Sequence, residues 1–391
     1  MIDDAALWAI WRLRPSRVDF GVGRLISGEW SPAEREVCKT GGQLSEVKTA
    51  TQRARPFLLI LLALALSVRP MPAQSAQAVA GFETATIAGA GVPPIDIAIW
   101  YPSVSPASDH KLGGWVQRVA AAGALARARH ALIVVSHGGG GWYGGHYDTA
   151  LSLARGGFIV AAPTHPGDNF HDQSGAADMA ARPRDLKRLV DYMLGDWHGR
   201  SHVDRNRIGV FGFSNGGFTA LVAIGGVPDF ARFGPHCKVH PDFEDCRILA
   251  RSGISLRDLP ERFPPARWAH DPRIKAAVIA APALGFLFSA GGLDKVGVPV
   301  QLWRAADDHV LPQPEYAEAV RHALPHAPEY HVVANAGHYD FLAPCDGALA
   351  VDIPSVCRSN SGFDRIVFHK KFNAAVVSFF ERALEAGPPT H

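Results

Sequence analysis

Neither sign of charge is in real excess here: 39 Lys and Arg against 37 Asp and Glu leave a formal net charge of +2 over 391 residues. Nucleic acids and other polyanions are gripped by clustered cations, so this balance excludes a nucleic-acid partner. Even the small surplus is local. Residues 1–78 hold ten of the cations and seven of the acids, and the remainder is balanced to within one charge. Apolar runs long enough to span a bilayer are missing as well. The most apolar stretch, Phe57–Val68, has twelve residues, whereas a spanning helix needs about 20. The five cysteines include no CxxC pair and no Cys/His spacing of the kind that holds zinc, and no metal or other cofactor is implied. Repeats and low-complexity tracts are absent, which excludes solenoids and linker-like chains. What is present is globular: 47% of residues are hydrophobic and 19% charged, enough apolar material for a substantial core.

Arg53 and Arg55 precede the apolar run, and Ala76-Gln77-Ala78 follows it. Basic flank, short apolar stretch and small-residue cleavage site make residues 53–78 a secretory signal peptide. A membrane anchor is the weaker alternative, because the run is short. Residues 1–52 carry no sustained period and no motif, and are expected to be a non-native or disordered extension. The protein is therefore predicted to be secreted or periplasmic, with no stable membrane span after cleavage. Cysteine usage agrees. Cys38 lies in the extension, and the other four form two local couples, Cys237 with Cys246 and Cys345 with Cys357. Short loop closure favours these two disulfides among the three possible pairings; free thiols in a reducing compartment are the competing reading.

From residue 79 onward, short β-branched runs alternate with amphipathic segments. This pattern predicts an α/β fold, a mostly parallel central sheet flanked by helices. The strands are expected at Ile95–Tyr101, Ala131–Ser136, Phe158–Ala162, Ile208–Phe213, Ile274–Ala280, Val298–Trp303 and Glu329–Val333. Helices are expected at Arg184–Leu194, Gly217–Ile224, Glu315–Ala323 and Phe363–Glu385. Residues 227–272 break the alternation, being rich in Pro, Arg and Asp and weak in period. So long an excursion predicts a cap-like insertion over a site, the alternative being a plain surface loop.

Four motifs carry chemistry. Gly212-Phe213-Ser214-Asn215-Gly216 stands between a strand and a helix, the setting in which GxSxG lifts a serine hydroxyl above a sheet as a nucleophile. Ser136-His137-Gly138-Gly139-Gly140-Gly141 closes an earlier strand, and glycine-rich turns of this kind supply backbone N–H groups to an oxyanion hole. The expected donors are Gly139 N–H and Asn215 N–H, with His137 buttressing the loop. A serine nucleophile needs a base, and the base an orienting acid. His338, in Asn335-Ala336-Gly337-His338-Tyr339-Asp340, follows the last strand, and Asp307-Asp308 follows the strand before it. Ser214, an aspartate near 308 and then His338 reproduce the Ser…Asp…His order of hydrolases with a GxSxG elbow.

The elbow GFSNGGFTAL within RIGVFGFSNGG, the block NAGHYDFLAPC and the segment GFDRIVFH resemble the dienelactone-hydrolase-like branch of the α/β-hydrolases. That branch is similar to the platelet-activating-factor acetylhydrolases and to bacterial lipase-like esterases. The resemblance covers roughly residues 82–385 and implies an α/β-hydrolase fold and serine hydrolysis. It departs in two places. Dienelactone hydrolases use cysteine where this chain has Ser214, and the acetylhydrolases carry an acid where it reads Ala280-Ala281-Pro282-Ala283. Neither dienelactone nor phospholipid specificity is carried over. Similar esterases place the triad acid four residues before a proline, and Pro312 then selects Asp308; Asp307, Asp340 and Asp294 are the alternatives.

The resulting expectation is a serine carboxylic-ester hydrolase working through an acyl-enzyme on Ser214 with His338 and Asp308, on a small-molecule or lipid-like ester. A polyester or lipid hydrolase of the same mechanism is the runner-up. A non-catalytic binding module on the same fold is the alternative of another class. Trp142 and Tyr143 either line the acyl pocket or pack beneath it.

Overall fold

A computed structural model describes residues 78–89, 91–289 and 291–385. The extension expected over 1–52, including Cys38, and the leader expected over 53–78, apart from Ala78, lie outside the described residues.

Among the described residues ten strands form one sheet: β1 (Val79–Ile87), β2 (Ile95–Ser103), β3 (Ser108–Leu112), β4 (Trp115–Ala121), β5 (His130–Ser136), β6 (Ile159–Thr164), β7 (Val203–Phe213), β8 (Ile274–Ala280), β9 (Val300–Ala305) and β10 (Glu329–Val333). Their order is β10-β9-β8-β7-β5-β6-β2-β1-β4-β3. The run from β6 through β5, β7, β8 and β9 to β10 is parallel throughout. Antiparallel pairing joins β2 to β6, β1 to β2 and β3 to β4. The helices relevant below are α1 (Tyr147–Arg155), α2 (Ala181–Gly195), α3 (Asn215–Ala223), α4 (Phe233–Val239), α5 (Glu244–Ser252), α6 (Ala317–Ala323) and α7 (Arg365–Glu385).

The central strands read as unbroken apolar runs because helices cover both faces of the sheet. Successive side chains alternate between the two layers. Leu132, Val134, Ile208 and Val210 pack with Leu186 and Leu189 of α2 and Phe218 and Leu221 of α3. Ala131, Ile133, Val135, Phe211 and Phe213 pack with Leu153 of α1 and Phe372, Val376 and Phe380 of α7. This sandwich places the C-terminal ends of β5, β7, β9 and β10 along one edge of the parallel run, with β8 between β7 and β9.

Three strands were not expected. β1, β3 and β4 sit at one side of the sheet, where β3 alternates exposed polar residues with little apolar signal. β1 begins beside the predicted cleavage site and gains its order from nine paired positions along β2. α1 was also missed, because it follows directly on the glycines of residues 138–145. Residues 227–272, weakly periodic in sequence, are helical pieces around their own aromatic cluster. Phe230 meets Phe263 at 4.5 Å and Trp268 at 5.6 Å between ring centroids. The Cys237–Cys246 disulfide joins α4 to α5, with the two Cα atoms 5.5 Å apart. The insertion rests on the main body where His236 stacks on Phe286 at 3.6 Å and Asp245 accepts a 3.1 Å hydrogen bond from Tyr316. No helix among the described residues is long and apolar enough to cross a membrane.

Candidate active site

β7 ends in Phe213 and α3 begins at Asn215, so the chain must reverse within Ser214. It does so with φ 55° and ψ −120°, a backbone region that a side-chain-bearing residue enters only where its surroundings hold it there. The flanking glycines make the turn possible. A Cβ on Gly212 would overlap the carbonyl of Gly216, and one on Gly216 would overlap the carbonyl of Ser136. The turn is pinned on both sides: Ser214 N–H donates to Ala280 O at 3.0 Å, and Ser214 O accepts from Ala283 N–H at 3.0 Å.

The loop after β10 brings in the imidazole. His338 Nε2 lies 3.0 Å from Ser214 Oγ, and Nδ1 lies 2.8 Å from Asp308 Oδ2. Asp308 comes from the end of β9, and its other oxygen accepts from Val310 N–H at 3.0 Å and Leu311 N–H at 2.7 Å. The imidazole and the carboxylate are almost wholly shielded from solvent. Phe213 packs beneath the ring at 4.9 Å. With Nδ1–H donated to the carboxylate, Nε2 is left as the acceptor facing the serine hydroxyl. The glycine loop lies across from it. A Cβ on Gly138 would stand 3.4 Å from the Cβ of Ser214, and one on Gly139 would stand 2.8 Å from Asn215 Nδ2. Neither Gly139 N–H nor Asn215 N–H has an acceptor among the described residues, so both are free to receive a negatively charged oxygen.

Neither a family model nor a curated protein sequence matches this chain. Among solved structures, a ferulic acid esterase from Streptomyces cinnamoneus is similar with a TM-score of 0.54 and 21% identity, over 82% of this chain and 93% of that one. The chain has the α/β-hydrolase fold. Its elbow stands on the strand at the centre of the parallel run, where ligands bind in open α/β sheets.

The other candidate acids do not reach the imidazole of this hydrolase-fold site. Asp307 is exposed, and its carboxylate faces Asn360 Nδ2 at 3.5 Å. Asp294 is exposed. Asp340 is buried but engaged elsewhere. It accepts from Gly337 N–H at 2.8 Å and pairs with Arg365 at 2.9 Å, anchoring the histidine loop to α7. The Cys345–Cys357 disulfide closes the chain that follows this loop. Trp142 is half-buried, 6.2 Å from Trp115 and 5.9 Å from Phe170, with Gly113 and Gly144 against its ring.

A polar group lies beneath the glycine loop, and beyond His137 none of its members was expected from the sequence. Arg182 of α2 pairs with Asp168 at 2.7 Å. His137 is buried, with Nδ1 2.7 Å from Gly138 O and Nε2 accepting from His165 N–H at 3.1 Å. Burial, and after it the positive charge of Arg182, hold the His137 ring well below its ordinary pKa, so it is neutral. His165 is depressed likewise by burial. Its Nδ1 meets Asp185 Oδ2 at 3.1 Å and its Nε2 meets Ser136 Oγ at 3.0 Å. The only local cue was the turn tetrapeptide His165-Pro166-Gly167-Asp168 after β6.

Proposed function

We propose that the protein is a carboxylic-ester hydrolase that cleaves its substrate through an acyl-enzyme on Ser214. The observation carrying this reading is the unbroken hydrogen-bonded line from Ser214 Oγ through His338 to Asp308. In the first half-reaction His338 Nε2 takes the hydroxyl proton as Oγ attacks the ester carbon, and the carbonyl electrons move onto the oxygen. Asp308 holds the ring in the required tautomer and stabilises the imidazolium. Gly139 N–H and Asn215 N–H would receive the oxyanion, a pair of donors each worth about 3–4 kcal/mol in comparable sites. Collapse expels the alcohol, which takes the proton from His338. Water then repeats the sequence on the acyl-enzyme and releases the acid.

Within the fold we read the chain as belonging to the dienelactone-hydrolase-like branch, on the motifs around Ser214 and His338. We read it as exported, because its two disulfides suit an oxidising compartment. The insertion at 227–272 is read as a cap. Its contacts with Phe286 and Tyr316 set it beside the strand ends that carry Ala281 and Asp308. The structural neighbour is named for ferulic acid esters, so a hydroxycinnamate methyl ester belongs in the substrate panel beside p-nitrophenyl esters of rising acyl length. The test is labelling by a fluorophosphonate probe together with turnover of that panel. Labelling at Ser214 and hydrolysis of any of these esters is expected. An unlabelled, inactive protein would mark it as a binding module instead.

A further inference from the structure

We propose that Arg182 is a positioning residue that aims the oxyanion-binding Gly139 N–H of the glycine loop. The inference rests on the ester-hydrolase reading and adds to it a buried cation far from Ser214 in sequence. Arg182 Nη1 donates to His137 O at 2.6 Å, and Nη2 donates to Gly138 O at 3.0 Å and to Asp168 O at 3.3 Å. Its Nε donates to Asp168 Oδ2 at 2.7 Å, and the other oxygen of that carboxylate accepts from Gly140 N–H at 3.0 Å.

A trans peptide unit is planar, with its C=O and the following N–H pointing in opposite directions. A carbonyl held on one side therefore aims the next N–H to the other. Fixing His137 O sets the direction of Gly138 N–H, and fixing Gly138 O sets that of Gly139 N–H. Fixing Gly140 N–H sets the direction of Gly139 O. Three consecutive peptide planes, each with glycine on at least one side, are thus fixed by one ion pair. Glycine makes the close approach possible but cannot hold an orientation, because its backbone wells are broad. Gly140 itself stands at φ 65°. Gly138 O is held three times over, with Gly141 N–H at 3.1 Å and His137 Nδ1 at 2.7 Å beside the guanidinium.

The pair is neutral as a whole, and its side chains are 6% and 9% exposed. Its effect on the oxyanion is accordingly one of orientation rather than of net field. The guanidinium fork matters: it presents several N–H groups in one plane, which an ammonium does not.

The test compares wild type with Arg182→Ala and Arg182→Lys by ester turnover and by affinity for a matched trifluoromethyl ketone. That inhibitor accepts Ser214 Oγ at its carbonyl carbon and keeps the resulting oxyanion. Arg182→Ala is expected to lower kcat on the order of 100-fold, the scale of losing one oxyanion donor. Ketone affinity should weaken by a similar factor while KM changes by less than about threefold. The basic and acidic limbs of kcat/KM against pH should stay where they are, because the His338 relay is untouched. Added guanidinium ion should restore part of the alanine variant's rate, and lysine should rescue only partly. A merely structural role would move stability without this coupling. If the alanine variant does not fold, the lysine variant is read by the same two quantities. Wild-type turnover in either variant, or a fall in kcat with unchanged ketone affinity, overturns the proposal. A wild-type protein that neither hydrolyses esters nor reacts at Ser214 defeats the ester-hydrolase reading instead.

Discussion

Replacing Asp308 with asparagine changes one atom and should disable the relay. In the structure one oxygen of Asp308 accepts from two backbone N–H groups, at 3.0 and 2.7 Å, while the other faces His338 Nδ1 at 2.8 Å. An asparagine keeps the backbone bonds only by presenting its oxygen to Val310 and Leu311. Its NH2 then points at the imidazole. A donor facing Nδ1 forces the ring to carry its proton on Nε2, and Nε2 can no longer accept from Ser214. The loss expected for such a wrong tautomer is about 10⁴ in kcat. KM should hardly move, since the carboxylate is buried behind the ring and touches no substrate. Stability should fall little, because two of the three hydrogen bonds survive. Asp307→Asn is the internal control: that side chain is exposed, with a contact of 3.5 Å to Asn360, and the change should alter kcat by less than about twofold, as surface substitutions generally do. Steady-state hydrolysis of a p-nitrophenyl ester with both variants decides the matter. An Asp308→Asn enzyme within tenfold of wild type, or equal losses in the two variants, would refute the tautomer argument.

Ser214→Ala and His338→Ala should each abolish turnover, and the double variant should be little worse than either alone, since relay members act as a unit; additive losses measured in a double-mutant cycle would contradict the relay. Burial raises the Asp185 carboxyl from 3.8 to about 6, against the opposing pull of Arg188, Arg182 and Arg184. The folded state therefore holds this proton more tightly than the unfolded chain does. Stability contributed here is full below pH 4, falls as pH rises towards 6, and is then flat. Asp185→Asn should gain on wild type by about 3 kcal/mol across that window. Urea unfolding at several pH values checks it, and a parallel pH dependence in the two proteins would be the contrary result. Removing the Cys345–Cys357 bridge with paired serines should cost about 3 kcal/mol in the loop-entropy model, given its separation of 12 residues; an unshifted denaturation midpoint would count against it.

What the sequence determined by itself was whatever depends on neighbours along the chain. Apolar runs such as ALIVV in β5 and IKAAVIA in β8 reveal strands buried on both faces, and Gly212 and Gly216 reveal a turn that no larger residue could make. The short cysteine couples and the position of His338 after the last strand are equally local signals. Contacts between distant residues were decided only when the sheet assembled. Asp307 and Asp308 are indistinguishable by type and differ only in which way the end of β9 points them, towards Asn360 or towards His338. Arg182 lies 45 residues from His137, on an amphipathic helix where a cation looks like one more solvated charge. Its burial follows from α2 packing beneath the loops after β5 and β6, where the carbonyls of His137 and Asp168 would otherwise have lost water without a donor. Strands β1, β3 and β4 belong to the same category, since at the sheet's edge order comes from cross-strand pairing more than from apolar pattern.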